Sequence, residues 1–284
     1  MKALQFKIII LLVSFTTSSS FYLTKNIPEV KDFQGKATYI SKTKMDLGTW
    51  GNRMSVAQKK QIGERLKNRL EKTYTLTFNK QESFFEEQDK IDAISGATDS
   101  WGKNFTPGDQ YKNVSKNSQI QSQEFYGKRF LVKDKLQDIE WNLDSETKVI
   151  GNYECYKATA SIPTEELTWY SFSWSKINSR EKKKEKNNVK ENKISMTTVE
   201  VWYTQQIPVS HGPQEFWGLP GLILEVSSGN TTLVCTELII NPKDKLEITA
   251  PKKGEIVTKT EYQNIISKKM KEFRDMRAGR GRGR

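Results

Sequence analysis

One stretch limits what this chain can fold into more than any other. From Trp202-Tyr203-Thr204 it passes through Ile207-Pro208, Gly212-Pro213 and Phe216-Trp217 into Gly218-Leu219-Pro220-Gly221-Leu222-Ile223-Leu224-Glu225. The β-branched and aromatic residues on either side read as strands, and the proline and glycine positions between them read as turns. Proline fixes φ and glycine admits φ > 0. Pro208, Gly212, Pro213, Gly218, Pro220 and Gly221 therefore predict a rigid corner joining two strands rather than a flexible loop. A rigid corner loses little ordering entropy when a partner docks. Trp202, Tyr203, His211, Phe216 and Trp217 are accordingly the candidate residues for holding an apolar ligand or a partner. The plainer reading is that the aromatics fill the core where strands bend.

This corner resembles the signature of the GLPGLI family of exported Bacteroidota proteins. The likeness includes Trp141-Asn142-Leu143, Glu146-Thr147-Lys148-Val149-Ile150-Gly151 and Tyr153-x-Cys155-x-Lys157-Ala158-Thr159, and it covers roughly residues 119 to 245. The resemblance implies an exported, β-rich protein, often encoded near outer-membrane transporters, with no assigned catalytic residues. A strand carrying Gly-x-Tyr-x-Cys, paired with a later one carrying Trp-Tyr-Thr, is also similar in topology to the half-barrel of periplasmic lipoprotein carriers. Topology alone carries no function.

The rest of the chain reads as one α+β domain over 21–277, dominated by a curved, mainly antiparallel sheet. Ile62, Leu66 and Leu70 share one helical face, so 55–72 is expected to be a helix against the sheet, capped by Ser55. Tyr74, Leu76 and Phe78 alternate with threonines in the strand that follows. Residues 36–41, 119–132, 138–143, 197–204, 222–226, 231–240 and 245–249 read as strand regions. Asp144 to Thr147 reads as a turn, with Val149, Gly151, Tyr153 and Cys155 lining one face of the strand beyond it. Residues 89–118 read as a long loop, and 167–174 carry alternating aromatics. A helix over 261–277 presents Tyr262, Ile265, Ile266, Met270 and Phe273 on one stripe, with Thr260 and Gln263 as its capping box.

Residues 1–20 read as a signal peptide: Lys2 and Lys7, then an apolar run from Ile8 to Phe15, then Ser18-x-Ser20. That reading places the mature protein in the periplasm or cell envelope, or outside the cell, with no transmembrane span after cleavage; the resemblance implies an outer-membrane transporter or envelope protein as its partner. The apolar content is only 35%, so the aromatic residues must supply much of the core. The net charge of +12 gathers partly in a charged loop at about 176–194 and in a basic tail at 278–284, expected to be disordered. In an exported protein this favours a solvated basic surface, or a polyanion, over specific nucleic acid.

Little in the sequence points to chemistry. His211 is the single histidine, which excludes a histidine-rich metal site, and no metal or cofactor is expected. Ser210 and His211 are neighbours that an extended chain points to opposite sides, and no Gly-x-Ser-x-Gly elbow exists, so a hydrolase using His211 is only the alternative reading. Glu86-Glu87 and Glu165-Glu166 are poor carboxylate dyads for the same geometric reason. Cys155 and Cys235, the two cysteines, fall in strands of one domain and are expected to form a disulfide, with two buried free thiols as the alternative. The leading expectation is a non-enzymatic binding or accessory protein.

Overall fold

The computed structural model describes residues 33–45, 47, 51–88, 104–172 and 194–280. The expected signal peptide, the loop from Lys176 to Lys193 and the tail beyond Arg280 lie outside the described residues. The strands are β1 (Gln34–Thr43), β2 (Glu71–Asn79), β3 (Glu82–Glu87), β4 (Gln110–Asn113), β5 (Ser118–Phe125) and β6 (Lys128–Asp134), followed by β7 (Asn142–Ile150), β8 (Tyr153–Pro163), β9 (Met196–Thr204), β10 (Leu222–Ser228), β11 (Thr231–Ile240) and β12 (Glu255–Val257). They form one open sheet in the order β12-β6-β5-β4-β3-β2-β1-β11-β10-β9-β8-β7. Every pairing is antiparallel except β12 on β6. The expected α+β, mainly antiparallel architecture is what the chain adopts.

The first strand lies at the centre, between β2 and β11. Its alternation buries Ala37 and Tyr39, and the Tyr39 hydroxyl donates to the Ile223 carbonyl at 2.6 Å, tying the middle of the sheet to the exit of the corner. Adjacent residues part company as a two-residue period requires. Trp202 and Leu222 join one buried cluster with Ala37, Tyr39, Leu76 and Phe78, while Tyr203 and Ile223 join another with Ala158, Val201, Phe216 and Leu219. This half of the sheet is therefore covered on both faces.

Helix α1 (Val56–Leu70) starts at the Ser55–Gln58 capping box and touches β1 and β2, with Ile62, Leu66 and Leu70 half-buried. A single turn, α2 (Thr164–Leu167), follows β8. The closing helix, α3 (Lys259–Arg280), buries Tyr262, Ile266 and Met270 against Phe130, Val132 and Trp169. Its capping box is Thr258 with Glu261 rather than Thr260 with Gln263: the Glu261 amide donates to Thr258 Oγ1 at 3.2 Å, and the Thr258 amide donates to the Glu261 carboxylate at 2.8 Å. The helix also runs into the segment expected to be disordered, as far as Arg280.

Other expectations need correction. Gln110–Asn113 is a strand, not loop, and all of its residues are buried. Asp144 to Thr147 lie within β7, where the pairing with β8 shifts register, and the reversal comes later at Gly151, whose φ is 61°. The Asp-Ser-Glu-Thr composition that suggested a turn instead belongs to an exposed edge strand, where polar residues are tolerated and protect against edge pairing. Residues 245–249 form no strand. In the aromatic run, 167–172 is a helical end followed by a turn, and Ser173 and Trp174 lie outside the described residues.

Candidate functional site

The corner from Ile207 to Ile223 is built into the protein rather than displayed on it. The Val209 amide closes on the Ile207 carbonyl at 2.8 Å and the Phe216 amide on the Pro213 carbonyl at 3.2 Å, while His211 bridges to Trp217 across the loop. The Leu222 and Ile223 amides then donate back to the Ile207 and His211 carbonyls, each at 3.0 Å. Gly218 takes φ 93°, as its position in the turn signature requires. Gly221 is needed for a different reason: a Cβ there would lie 2.1 Å from the Thr204 carbonyl oxygen. Pro213 is buried, whereas Pro208 and Pro220 face solvent, and Gly212 is packed under Ile223.

A buried lysine holds this loop. Lys112 on β4 is fully buried and its ammonium donates to the carbonyls of Gly212, Gln214 and Phe216 at 2.7, 2.7 and 3.0 Å. Burial pulls its pKa down to about 7, with the Glu215 carboxylate working in the opposite sense. Three charge-assisted bonds use every donor an ammonium has. Glu215 anchors the other side, accepting from Trp169 Nε1 at 2.6 Å and pairing with Lys259 at 3.2 Å. Trp217 Nε1 donates to the Gln137 carbonyl at 2.7 Å, and Trp141 Nε1 to the Trp217 carbonyl at 2.8 Å.

The expected site residues do not gather. His211 is fully buried, and neither ring nitrogen has a hydrogen-bond partner. Burial, reinforced by the Lys112 charge, lowers its pKa to about 3. The Asn79 backbone lies near enough to favour the protonated ring, but without hydrogen-bond geometry to either nitrogen. Trp202 lies under Lys148, whose Nζ is 4.3 Å from the ring centroid, within a charged network that also joins Lys157 to Glu146 and Glu200 and Lys148 to Glu225. Tyr203 belongs to the opposite face of the sheet. Trp217 is half-buried and committed to Gln137.

The cysteines are not bonded, contrary to expectation. β9 and β10 lie between their strands. Burial raises the Cys155 thiol to about 11 and the Cys235 thiol to about 12, so both are inert thiols at neutral pH.

Of the five candidates, Phe216 lines a hollow, and it does so with residues that the sequence reading passed over. A hollow of about 200 Å³ is lined by Tyr74, Phe85, Gln110, Gln121, Leu167, Tyr170, Leu233 and the corner residues Gln214 to Phe216, with Glu87, Ser228 and Thr231 also contributing. Strands β5 and β10 both contribute, although they stand six positions apart in the sheet order. A flat sheet would hold them about 29 Å apart. The sheet must curl around the hollow. One wall is the stacked pair Tyr74–Phe85, with ring centroids 4.9 Å apart and planes at 14°. The next is polar: Gln110 and Gln121 line it, and Gln119 and Gln123 are buried beside them. Gln121 Nε2 leans toward the Gly108 carbonyl at 3.4 Å, while Gln121 Oε1 has no partner.

The Gln-x-Gln-x-Gln alternation of 119–123 was visible in the sequence, but polar side chains at period two normally mark the solvent face. Here they are buried, and Gln121 lines the hollow. Among the described residues no group of three or more His, Cys, Asp or Glu side chains stands together as a metal site, and no helix is long and apolar enough to cross a membrane.

Residues 141–225 match a family model described as a protein of unknown function, Porph_ging. That match covers the corner and the strands before it, and it is consistent with the GLPGLI-type resemblance. No curated protein matches the chain. Solved structures similar to it include two of the same protein. The first, "Structure of PNGF-II in C2 space group", shares 15% identity with a TM-score of 0.47, over 83% of this chain and 33% of that one. The second, "Structure of PNGF-II in P21 space group", shares 16% identity with a TM-score of 0.41, over 79% of this chain and 31% of that one. The chain thus spans about a third of the length of these solved structures.

Proposed function

We propose that this is an exported GLPGLI-type protein of the cell envelope that works by binding rather than by catalysis, holding a small, partly apolar ligand in the hollow beside Phe216. The observation that carries this reading is the hollow itself: about 200 Å³ of space walled by stacked aromatics, on a curled sheet, with the corner fixed behind it. Space of that kind costs packing and is kept where something enters it. The corner serves as a rigid wall, because Lys112 and Glu215 fix its backbone and its one acidic side chain. His211 lends no support to a hydrolase: it is sealed from solvent, and no carboxylate or hydroxyl orients its ring. Placement in the envelope rests on the reading of residues 1–20 alone.

The test is occupancy by ring-sized probes. Toluene and indole should raise the melting temperature and shift the NMR signals of the Phe85 and Phe216 rings. A Ser228→Phe variant, which fills the hollow from β10, should fold and lose both responses. A wild-type protein indifferent to every ring-sized probe would refute the binding reading.

A further inference from the structure

We propose that helix α1 docks the protein on an anionic phospholipid surface, through an exposed row made of Val56, Lys59, Lys60, Gly63 and Lys67. The proposal is independent of the hollow and of its ligand.

Charge comes first. The segment from Lys42 to Lys72 carries nine lysines and arginines against three acids, a surplus of six and half of the chain's net +12. Positions 56, 59, 60, 63 and 67 recur at helical spacing, so within α1 they fall on one side. Val56, Lys59, Lys60 and Lys67 are all exposed, and Arg53 stands exposed just before the Ser55 cap. Glu64 is the single acid of the helix and leaves the row net positive even beside Lys60 and Lys67.

Helix stability does not select this arrangement. The partial positive charge at a helix N-terminus favours acids in the first turn. α1 has none there, and Arg53 and Lys59 bracket that turn with like charge. Packing does not select it either. Ile62, Leu66 and Leu70 are the half-buried stripe of a helix that touches β1 and β2, and the exposed lysines adjoin that stripe without covering a core.

Val56 decides which anionic surface fits. It stands in the row among the lysines and is 82% exposed. A nucleic-acid or glycan backbone offers such a side chain no apolar contact. The headgroup region of a bilayer offers phosphates to the ammonium groups and acyl chains to the valine. Clusters of about four to eight basic residues on an amphipathic helix are what anionic lipid attracts. Arg53, Lys59, Lys60 and Lys67 make such a cluster. With one exposed apolar side chain, the helix rests on the headgroups, and charge governs the binding.

The experiment is co-sedimentation of the full chain with vesicles of phosphatidylcholine, alone or with about a third phosphatidylglycerol, at about 50 and about 300 mM salt. Wild type should bind the anionic vesicles at low salt, release them at high salt and ignore phosphatidylcholine. The triple variant Lys59→Gln, Lys60→Gln, Lys67→Gln should keep the wild-type melting temperature and bind about a hundredfold more weakly, each cation at an anionic surface being worth roughly fivefold. Val56→Ser should weaken binding by a smaller factor, and unchanged binding there would overturn the choice of lipid. Absence of vesicle binding by wild type at low salt would overturn the proposal. So would a folded triple variant that binds as wild type does, since the contact would then belong to another basic segment. Retention on heparin without vesicle binding would assign the row to a polyanion instead. Should the triple variant fail to fold, the single lysine substitutions decide: each should cost about fivefold, and no loss from any of them would overturn the docking.

Discussion

The corner at Ile207–Ile223 and the glutamine ladder of β4 and β5 both take polar groups away from water, and they handle them in opposite ways. In the corner the buried carbonyls of Gly212, Gln214 and Phe216 share one ammonium, and Glu215 has a donor on each oxygen. In the ladder, Gln110 and Gln119 meet only at 3.4 Å, and Gln121 Oε1 and Gln123 Nε2 meet nothing. The paired region is fixed, so its aromatics and prolines serve the fold. The under-paired region borders the hollow through Gln110 and Gln121. His211 belongs with the ladder: its ring nitrogens are also unmet, and a buried polar group without a partner is a cost.

Four outcomes would sharpen or break this contrast. Lys112→Met strips three carbonyls of their donor and should destabilise the protein by about 3–5 kcal/mol in a denaturant titration. A loss under about 1 kcal/mol would mean that the corner stands without its clamp. Gly221→Val, with its Cβ driven toward the Thr204 carbonyl, should cost about 3 kcal/mol even though no positive φ is involved. The same change at Gly218 acts through φ and should be milder because the position is exposed.

The third outcome concerns acid. His211 has a folded pKa of about 3, below the ordinary value of 6.5, so the unfolded chain takes up the proton first. Its contribution is complete above pH 6.5 and is lost as pH falls toward 3. Wild type should lose about 2–3 kcal/mol more than His211→Leu between pH 6.5 and 4.5, and the variant should match or exceed wild type at pH 7. Parallel pH profiles would contradict the sealed, neutral imidazole. The smallest effect is expected of the thiols. Dithiothreitol should leave the melting temperature unchanged, and a drop of several degrees would restore the expected disulfide.

Much of the fold was legible because local chemistry and tertiary context agreed. Ser55 and Gln58 cap α1, the stripe from Tyr262 to Phe273 packs α3, and the alternation at Tyr74, Leu76 and Phe78 makes β2. The corner was legible as a corner because proline and glycine act through their own backbones. What the sequence hid was direction. The curl of the sheet turns Gln119, Gln121 and Gln123 inward, and nothing in a polar period-two pattern says which side a sheet will bend toward. Lys112 was hidden for a related reason: its partners lie about a hundred residues away, and only the closed fold brings them within 3.0 Å. The aromatic cluster read as a site was dispersed by the same alternation that makes a strand, with Trp202 on one face and Tyr203 on the other.

The central claim is that the corner is scaffold and the hollow beside it is the binding site. A crystal of the protein soaked with 4-bromophenol tests it most directly, since bromine marks its own position by anomalous scattering. The account predicts one dominant bromine peak within the hollow, with the ring beside Tyr74, Phe85 and Phe216. An empty hollow, or a dominant peak at Trp202 or Trp217, would contradict it.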